Sequence, residues 1–311
     1  MDSRRPPIFS ICIPAYNDAP AFERCILSLL QQTEKSIECI VSDDSGDDSI
    51  HSLILDIDDE RVKYYKNSPA LGAPQNWNQA LALASGEIIS LLHQDDWYSS
   101  EAVLRRVREE FEEQKADVLV CARSLYTEGK LRAHYSATPA LVKSFTAGFP
   151  CRSLVVNRIG HPGVVFFQKD LVEIKYDSRC CYFSDTDYYY RLFKKALKVG
   201  TLNEPLVALE AGRPGQLSKK CFTRPAKLIE ELDLLLKKHR ANSVCRGFTL
   251  ARFIASNLRR WDQNNFKSVL CSTRQAFTAV EAGLALAALP AFLAHMLYRY
   301  IYKTVKGGPW G

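Results

Sequence analysis

Three times within the first hundred residues, an apolar run stops abruptly on polar or acidic side chains. Ile8-Phe9-Ser10-Ile11-Cys12-Ile13 gives way to Pro14-Ala15-Tyr16-Asn17-Asp18, and Ile37-Glu38-Cys39-Ile40-Val41 to Ser42-Asp43-Asp44-Ser45-Gly46. Ile88-Ile89-Ser90-Leu91-Leu92 gives way to His93-Gln94-Asp95-Asp96-Trp97. The stretches between them have helical spacing: in Ala21–Gln32, residues Phe22, Cys25, Ile26, Leu29 and Leu30 share one face. Further helices are expected near Asp48–Leu55 and Pro74–Ala84, with another strand at Val62–Tyr65. Strand alternating with helix specifies an α/β fold with a parallel sheet and right-handed crossovers. A strand buried on both faces cannot hold an unpartnered charge, so Asp95 and Asp96 belong just past its C-terminal edge. Open α/β sheets bind ligands at that edge.

Adjacent carboxylates at a strand end suit a hard divalent cation with oxygen ligands, magnesium or manganese, which readily bridges to phosphate. Neither GxGxxG nor GxxxxGK[ST] occurs, so phosphates held here would be neutralised by metal rather than by a glycine-rich loop. Taken one at a time, the same residues have plainer readings. Tyr16 alone is a rim aromatic, Asp43 and Asp44 an Asx-turn and a cap, and Trp77 core packing. Asp185 alone is a helix N-cap, and His93 and His161 read as structural rather than as ligands.

The chain continues with a helix over Glu101–Gln114, strands at Asp117–Cys121 and Val164–Phe167, a helix from Asp185 to Leu197 and a strand at Pro205–Leu209. The segment 123–160 is less regular and reads as an acceptor-facing insertion. Beyond Gly212-Arg213-Pro214-Gly215 the character changes, and 222–280 reads as two or three helices with exposed basic positions. The 47% apolar and 24% charged content is ordinary for a folded protein. The charge is uneven, however: residues from Lys219 onward carry 16 Lys/Arg against 5 Asp/Glu. A basic tail on a mildly acidic body meets something anionic, and a membrane surface rather than nucleic acid is expected. From Ala282 to Tyr298 only His295 is ionisable, Pro290 interrupts the run, and basic residues flank both ends. That pattern predicts docking on the membrane without crossing it. The ten cysteines lack zinc-type spacing, and Met1–Pro7, short, basic and without an apolar core, is not expected to act as a signal peptide. Reduced thiols and a cytoplasmic location, peripheral on the cytoplasmic face of the membrane, are expected.

Several ordered motifs resemble those of the inverting family 2 glycosyltransferases, which have the GT-A fold. They are Ile13-Pro14-Ala15-Tyr16-Asn17, Val41-Ser42-Asp43-Asp44-Ser45-Gly46, Gly72 with Asn76-Trp77-Asn78, and Ala84-Ser85-Gly86-Glu87. Leu92-His93-Gln94-Asp95-Asp96 and Ser184-Asp185-Thr186-Asp187 with Arg191 complete the set, so the likeness spans about 8–218. The charge and apolar pattern marks 219–311 as a helical, basic, membrane-associating region, and the resemblance implies a catalytic domain over 1–218. It implies Tyr16 against the nucleobase, Asp44 on the base or ribose, Asp95 on the nucleotide-sugar, Asp96 on the metal and Asp185 as general base. Pro14, Asn17 and Asn76 join the nucleotide-sugar-binding set. The implied reaction moves a sugar from a nucleoside-diphosphate donor, a UDP-sugar, to a glycan or lipid-linked acceptor with inversion. Transfer to a polyprenyl phosphate, or a silent nucleotide-sugar binder or membrane scaffold, are the alternatives. Two positions depart from the family pattern: Ser184 stands where many relatives have Glu, and Pro74-Gln75 where they often have a basic residue.

Overall fold

In the computed structural model, which describes residues 6–213, 216–257, 272–273, 275–285, 287–288 and 290, the apolar runs are strands. They are β1 (Phe9–Ala15), β2 (Ile37–Asp43), β3 (Val62–Lys66) and β4 (Ile88–Leu91). Every residue of β1, β2 and β4 is buried, which is why these strands read as near-continuous apolar runs. Helices α1 (Ala19–Leu30), α2 (Ser49–Ile57) and α3 (Ala73–Ala82) make the crossovers. Asp18 starts α1 by accepting from the amide of Ala21 at 3.2 Å, with Pro20 in the first turn. The turn into β4 lies against β1 at Gly86, where a Cβ would come within 2.7 Å of the Ser10 main chain.

The chain then forms β5 (Asp96–Tyr98), α4 (Val103–Gln114), β6 (Val118–Thr127), β7 (Lys130–Tyr135) and α5 (Pro139–Ala147). After these come β8 (Val165–Gln168), α6 (Ser184–Lys195) and β9 (Val199–Glu210). The strand order is β3-β2-β1-β4-β8-β6-β9-β5, with β7 beside β6. The first four strands are parallel, as expected from the alternation. The rest of the sheet corrects that expectation: β8 runs antiparallel to β4 and β6, and β5 antiparallel to β9. The change begins after β4, where the chain enters β5 with no helix between them, although β6 and β9 again pair in parallel. Within the segment read as irregular, β6 turns back into β7 through Glu128 and Gly129, at φ 52° and 69°. Two successive positive φ angles are the hairpin signature whose twist matches its strands.

The described chain divides into two compact units, one of residues 1–144, 159–178 and 188–212, the other of 145–158, 179–187 and 213 onward. The second unit contains α7 (Leu217–Phe222), α8 (Pro225–Lys238) and α9 (Ser243–Asn257). Leu228, Ile229, Leu232, Leu235 and Leu236 of α8 are buried, a stripe at helical spacing. Buried Arg246 is held between Asp233, at 2.7 Å, and Glu281, at 2.5 Å. Cys151 and Cys245 form a disulfide, correcting the expectation that the thiols are all reduced. Their separation of 94 residues gave no spacing from which to read the pair. Among the described residues no helix is long and apolar enough to cross a membrane. The run 282–298 lies largely outside them.

Candidate active site

The parallel order of β2, β1 and β4 sets their C-terminal ends side by side, and side chains tie those ends together. Tyr16, just past β1, is 50% exposed. Gln94, past β4, accepts from the Tyr16 amide at 2.7 Å and donates to the Tyr16 carbonyl at 2.9 Å. Asn17, at φ 47°, donates its amide to Ser45 Oγ at 2.8 Å, while its side-chain oxygen accepts from Gly46 at 3.0 Å. Pro14 is buried within β1, opposite Ser42.

Of the adjacent acids ending β2, both are buried and both accept from the chain itself. Asp43 accepts from the Ser45 amide, Tyr64 Oη and Lys66 Nζ at 2.8, 2.8 and 3.2 Å. Asp44 accepts from Asn67 Nδ2 and the amides of Leu71 and Gly72, at 2.8, 3.0 and 2.8 Å. The Asp44 carboxylate thus shapes the loop before α3, with few lone-pair directions left over. Asn76 is buried too, joined to Asn67 at 3.0 Å and to the Ala15 carbonyl at 3.4 Å. This layer is built from residues expected to hold the donor, and in the structure they hold each other.

Asp95 and Asp96 are a different case. Asp96 does not dangle past a strand: it opens β5, paired with Leu209 of β9. Its carboxylate is buried, 3% exposed. Oδ2 lies 2.6 Å from Nδ1 of His161 but is not aligned for a hydrogen bond, and neither atom has another partner. Asp95 is half-buried, and its carbonyl accepts from Arg24 Nη2 at 3.2 Å. Arg24 also covers the Trp97 ring at 3.8 Å and pairs with Glu210 at 3.0 Å, bracing the motif from α1 and β9. A ring nitrogen of His93 and one carboxylate oxygen each of Asp95 and Asp96 lie within 4.8 Å of one another, a spacing that could hold a cation. His93 sits 5.1 Å from the Trp77 ring, and its buried Nε2 has no hydrogen-bond partner.

Burial, followed by the neighbouring Asp95, pushes the Asp96 carboxyl well above its usual range. Burial holds His93 below the usual imidazole value, and burial with nearby Arg123 brings His161 down to about 3. The Arg123 guanidinium is itself buried, over the Tyr135 ring at 4.6 Å and donating to the Ile159 carbonyl. A Cβ on Gly160, at φ 122°, would strike it at 2.7 Å. Gly160 therefore admits Arg123 beside His161.

Asp185 lies half-buried in the first turn of α6, in the second unit. Asp187, one turn-half further on, is fully buried and paired with His239 Nε2 at 2.7 Å and Lys238 Nζ at 3.1 Å. Two carboxylates two residues apart thus differ in kind. Sequence reasoning passed over Gln94, Arg123 and the pairing of His161 with Asp96. The Gly-His-Pro-Gly run at 160–163 was the one visible signal, since glycine and proline mark a fixed turn around a histidine.

Comparison with known proteins gives consistent results. The family model described as Glycosyl transferase family 2 matches residues 10–172, just over half of the chain. The GalNAc(5)-diNAcBac-PP-undecaprenol beta-1,3-glucosyltransferase of Campylobacter jejuni is 36% identical over 100 residues, 31% of this chain and 32% of that protein. The first curated relatives are matched over only 32% to 54% of their own length. Among solved structures, S. aureus TarS 1–349 in complex with UDP-GlcNAc superposes with a TM-score of 0.65 at 15% identity, covering 97% of this chain and 93% of that one. The mannosyltransferase PcManGT of Pyrobaculum calidifontis, in complex with GDP-Man and Mn2+, gives 0.55 at 13% identity, covering 96% and 88%. At those identities the likeness is one of fold.

Proposed function

The chain belongs to glycosyl transferase family 2 and has the GT-A fold, and from that premise we propose that it transfers a sugar from a UDP-sugar to an acceptor hydroxyl with inversion. The acceptor is a lipid-linked glycan, the class of molecule named for the Campylobacter relative, and on this reading it serves cell-surface polysaccharide synthesis. One observation carries the reading: the buried Asp96 oxygen without a hydrogen-bond partner, beside Asp95, at the edge where the parallel strands end. A buried carboxylate left without a donor is costly, and a divalent cation relieves that cost. The residues present therefore fit a metal, with Asp96 as ligand and Asp95 toward the nucleotide-sugar. A bound Mg2+ or Mn2+ stabilises the charge that develops on the departing diphosphate.

The chain's own residues do the rest. Tyr16, exposed and pinned by Gln94, offers a face for the nucleobase. Pro14, Asn17, Asp44 and Asn76 shape the wall behind it. Asp185 takes the proton from the acceptor hydroxyl as that oxygen attacks the anomeric carbon, and a single displacement inverts it. On this reading residues 1–218 are catalytic, and 219–311 bring the enzyme to the cytoplasmic face of the membrane, where a lipid-linked acceptor resides. The test is release of nucleoside diphosphate from a panel of sugar nucleotides, with and without a polyprenyl-diphosphate-linked acceptor and with and without Mn2+. Acceptor-stimulated release of UDP is expected. No release from any donor would leave a nucleotide-sugar binder instead.

A further inference from the structure

Among the buried polar groups of the first unit, Asp96, His161 and His93 stand out, because each has an unsatisfied side-chain atom while Asp96 neighbours both of the others. Asp96 Oδ2, both ring nitrogens of His161 and Nε2 of His93 are buried with no hydrogen-bond partner. Buried polar atoms are ordinarily satisfied, and a cluster of exceptions calls for a bound group. Most of these orphan atoms are imidazole nitrogens, although the sequence reading supposed oxygen ligands alone.

We propose that the cation site of this chain is a mixed nitrogen–oxygen site, in which His93 supplies a ring nitrogen beside the Asp95 and Asp96 carboxylates and His161 is the positioning residue for Asp96. The inference rests on the metal reading given above and deepens it. Three observations support the assignment of roles. His93 shares the 4.8 Å cluster with both carboxylates, a spread that one ion can span. Its ring is set by Trp77 on one side, so the imidazole is presented rather than swinging free. His161, by contrast, touches one carboxylate alone, with Nδ1 at 2.6 Å from Oδ2 of Asp96. That is the place of an outer partner that orients a ligating carboxylate. Arg123, admitted by Gly160, donates to the Ile159 carbonyl two residues before His161 and so braces that turn.

The consequence concerns metal choice. Magnesium prefers an all-oxygen shell, whereas imidazole suits the first-row transition metals. The site should therefore favour Mn2+ over Mg2+. Loss of an outer-shell partner typically costs roughly 10–100-fold in metal affinity.

The experiment uses the full chain with UDP and Mn2+. Pulsed electron paramagnetic resonance on bound Mn2+ should show coupling to one directly ligated imidazole nitrogen, shifted to the 15N pattern when the histidines are 15N-labelled. His93→Asn should abolish that coupling. His161→Ala should leave it intact while weakening Mn2+ binding about tenfold or more by calorimetry. Mn2+ bound with no nitrogen coupling in the unaltered protein would overturn the inference and leave the carboxylate metal site standing. Failure of Mn2+ to bind at all in the presence of UDP would overturn both. The spectrum of the unaltered protein decides the matter even where a variant fails to fold.

Discussion

The side-chain amide of Gln94 closes a two-bond bridge on the main chain of Tyr16, 2.7 Å to its amide and 2.9 Å to its carbonyl. A glutamine just past β4 thereby fixes the backbone that carries the aromatic residue just past β1. The ring itself stays half exposed.

The first prediction follows from that bridge. Gln94→Ala removes two partly exposed hydrogen bonds, together about 1.4 kcal/mol, or tenfold in affinity. The KM for the sugar nucleotide should rise by about that factor with kcat little changed, because the loss falls on positioning of the nucleobase. Steady-state kinetics against donor concentration checks it. A fall in kcat with KM unmoved would show that the bridge serves the transfer step instead.

Asp96→Asn tests the carboxylate directly. The change keeps the shape and removes a charge that burial disfavours. The melting temperature without metal should hold or rise, whereas Mn2+-dependent binding of UDP should fall by about 100-fold or more. Calorimetry with and without Mn2+ reads both arms.

Asp185 and Asp187 should separate cleanly. Asp185→Asn cannot accept a proton, so transfer should drop by roughly 100-fold or more while UDP binding persists. Asp187→Ala strips a buried carboxylate from Lys238 and His239, so it should lower stability by about 3 kcal/mol. Thermal melts and single-turnover rates of the two variants, side by side, distinguish base from clamp.

Glu38 is one buried carboxylate through which acid should weaken the first unit. Burial pushes its carboxyl up, but hydrogen bonds from Lys63, Ser10 and Ser85 more than offset that and hold it below its ordinary value. A depressed folded value means the contribution is complete above the unfolded carboxyl pKa and is lost as pH falls through the folded one. Glu38→Gln should therefore lower stability at pH 7 by about 1–3 kcal/mol and flatten its decline in acid. Chemical denaturation at pH 7 and at pH 4 measures the difference.

The strands that read most clearly were those buried on both faces. β1, β2 and β4 are mostly apolar because they are buried along their whole length, and the few polar residues inside them, such as Ser10 and Glu38, are paired, so their ends mark themselves in the sequence. β9 was only half legible: Pro205–Leu209 is apolar, but Val199–Glu204 is mixed because buried positions there alternate with partly exposed ones. The β6–β7 hairpin carried a Glu-Gly turn signal, masked by a strand β7 that is largely exposed. In the site, the acidic pairs were visible, but their different fates were not. Asp44 accepts from Asn67, Leu71 and Gly72, whereas Oδ2 of Asp96 has no hydrogen-bond partner, a contrast that depends on which loops fold over each. The Cys151–Cys245 pair and the approach of His161 to Asp96 arise from residues far apart along the chain, where local pattern says nothing.

The ladder between β5 and β9 has a bearing on synthesis. Asp96 is held in place through Leu209, and Trp97 and Tyr98 through Ala208 and Val207. The acidic motif leaves the ribosome long before the strand that anchors it. At roughly 5–20 residues per second it waits on the order of ten seconds for its partner. Over that interval β1 to β4 can already assemble, since they pair with one another along the early chain. A nascent chain stalled before Val199 would thus present the Tyr16 edge without a seated Asp96 carboxylate, and the proposed cation site would await translation of β9.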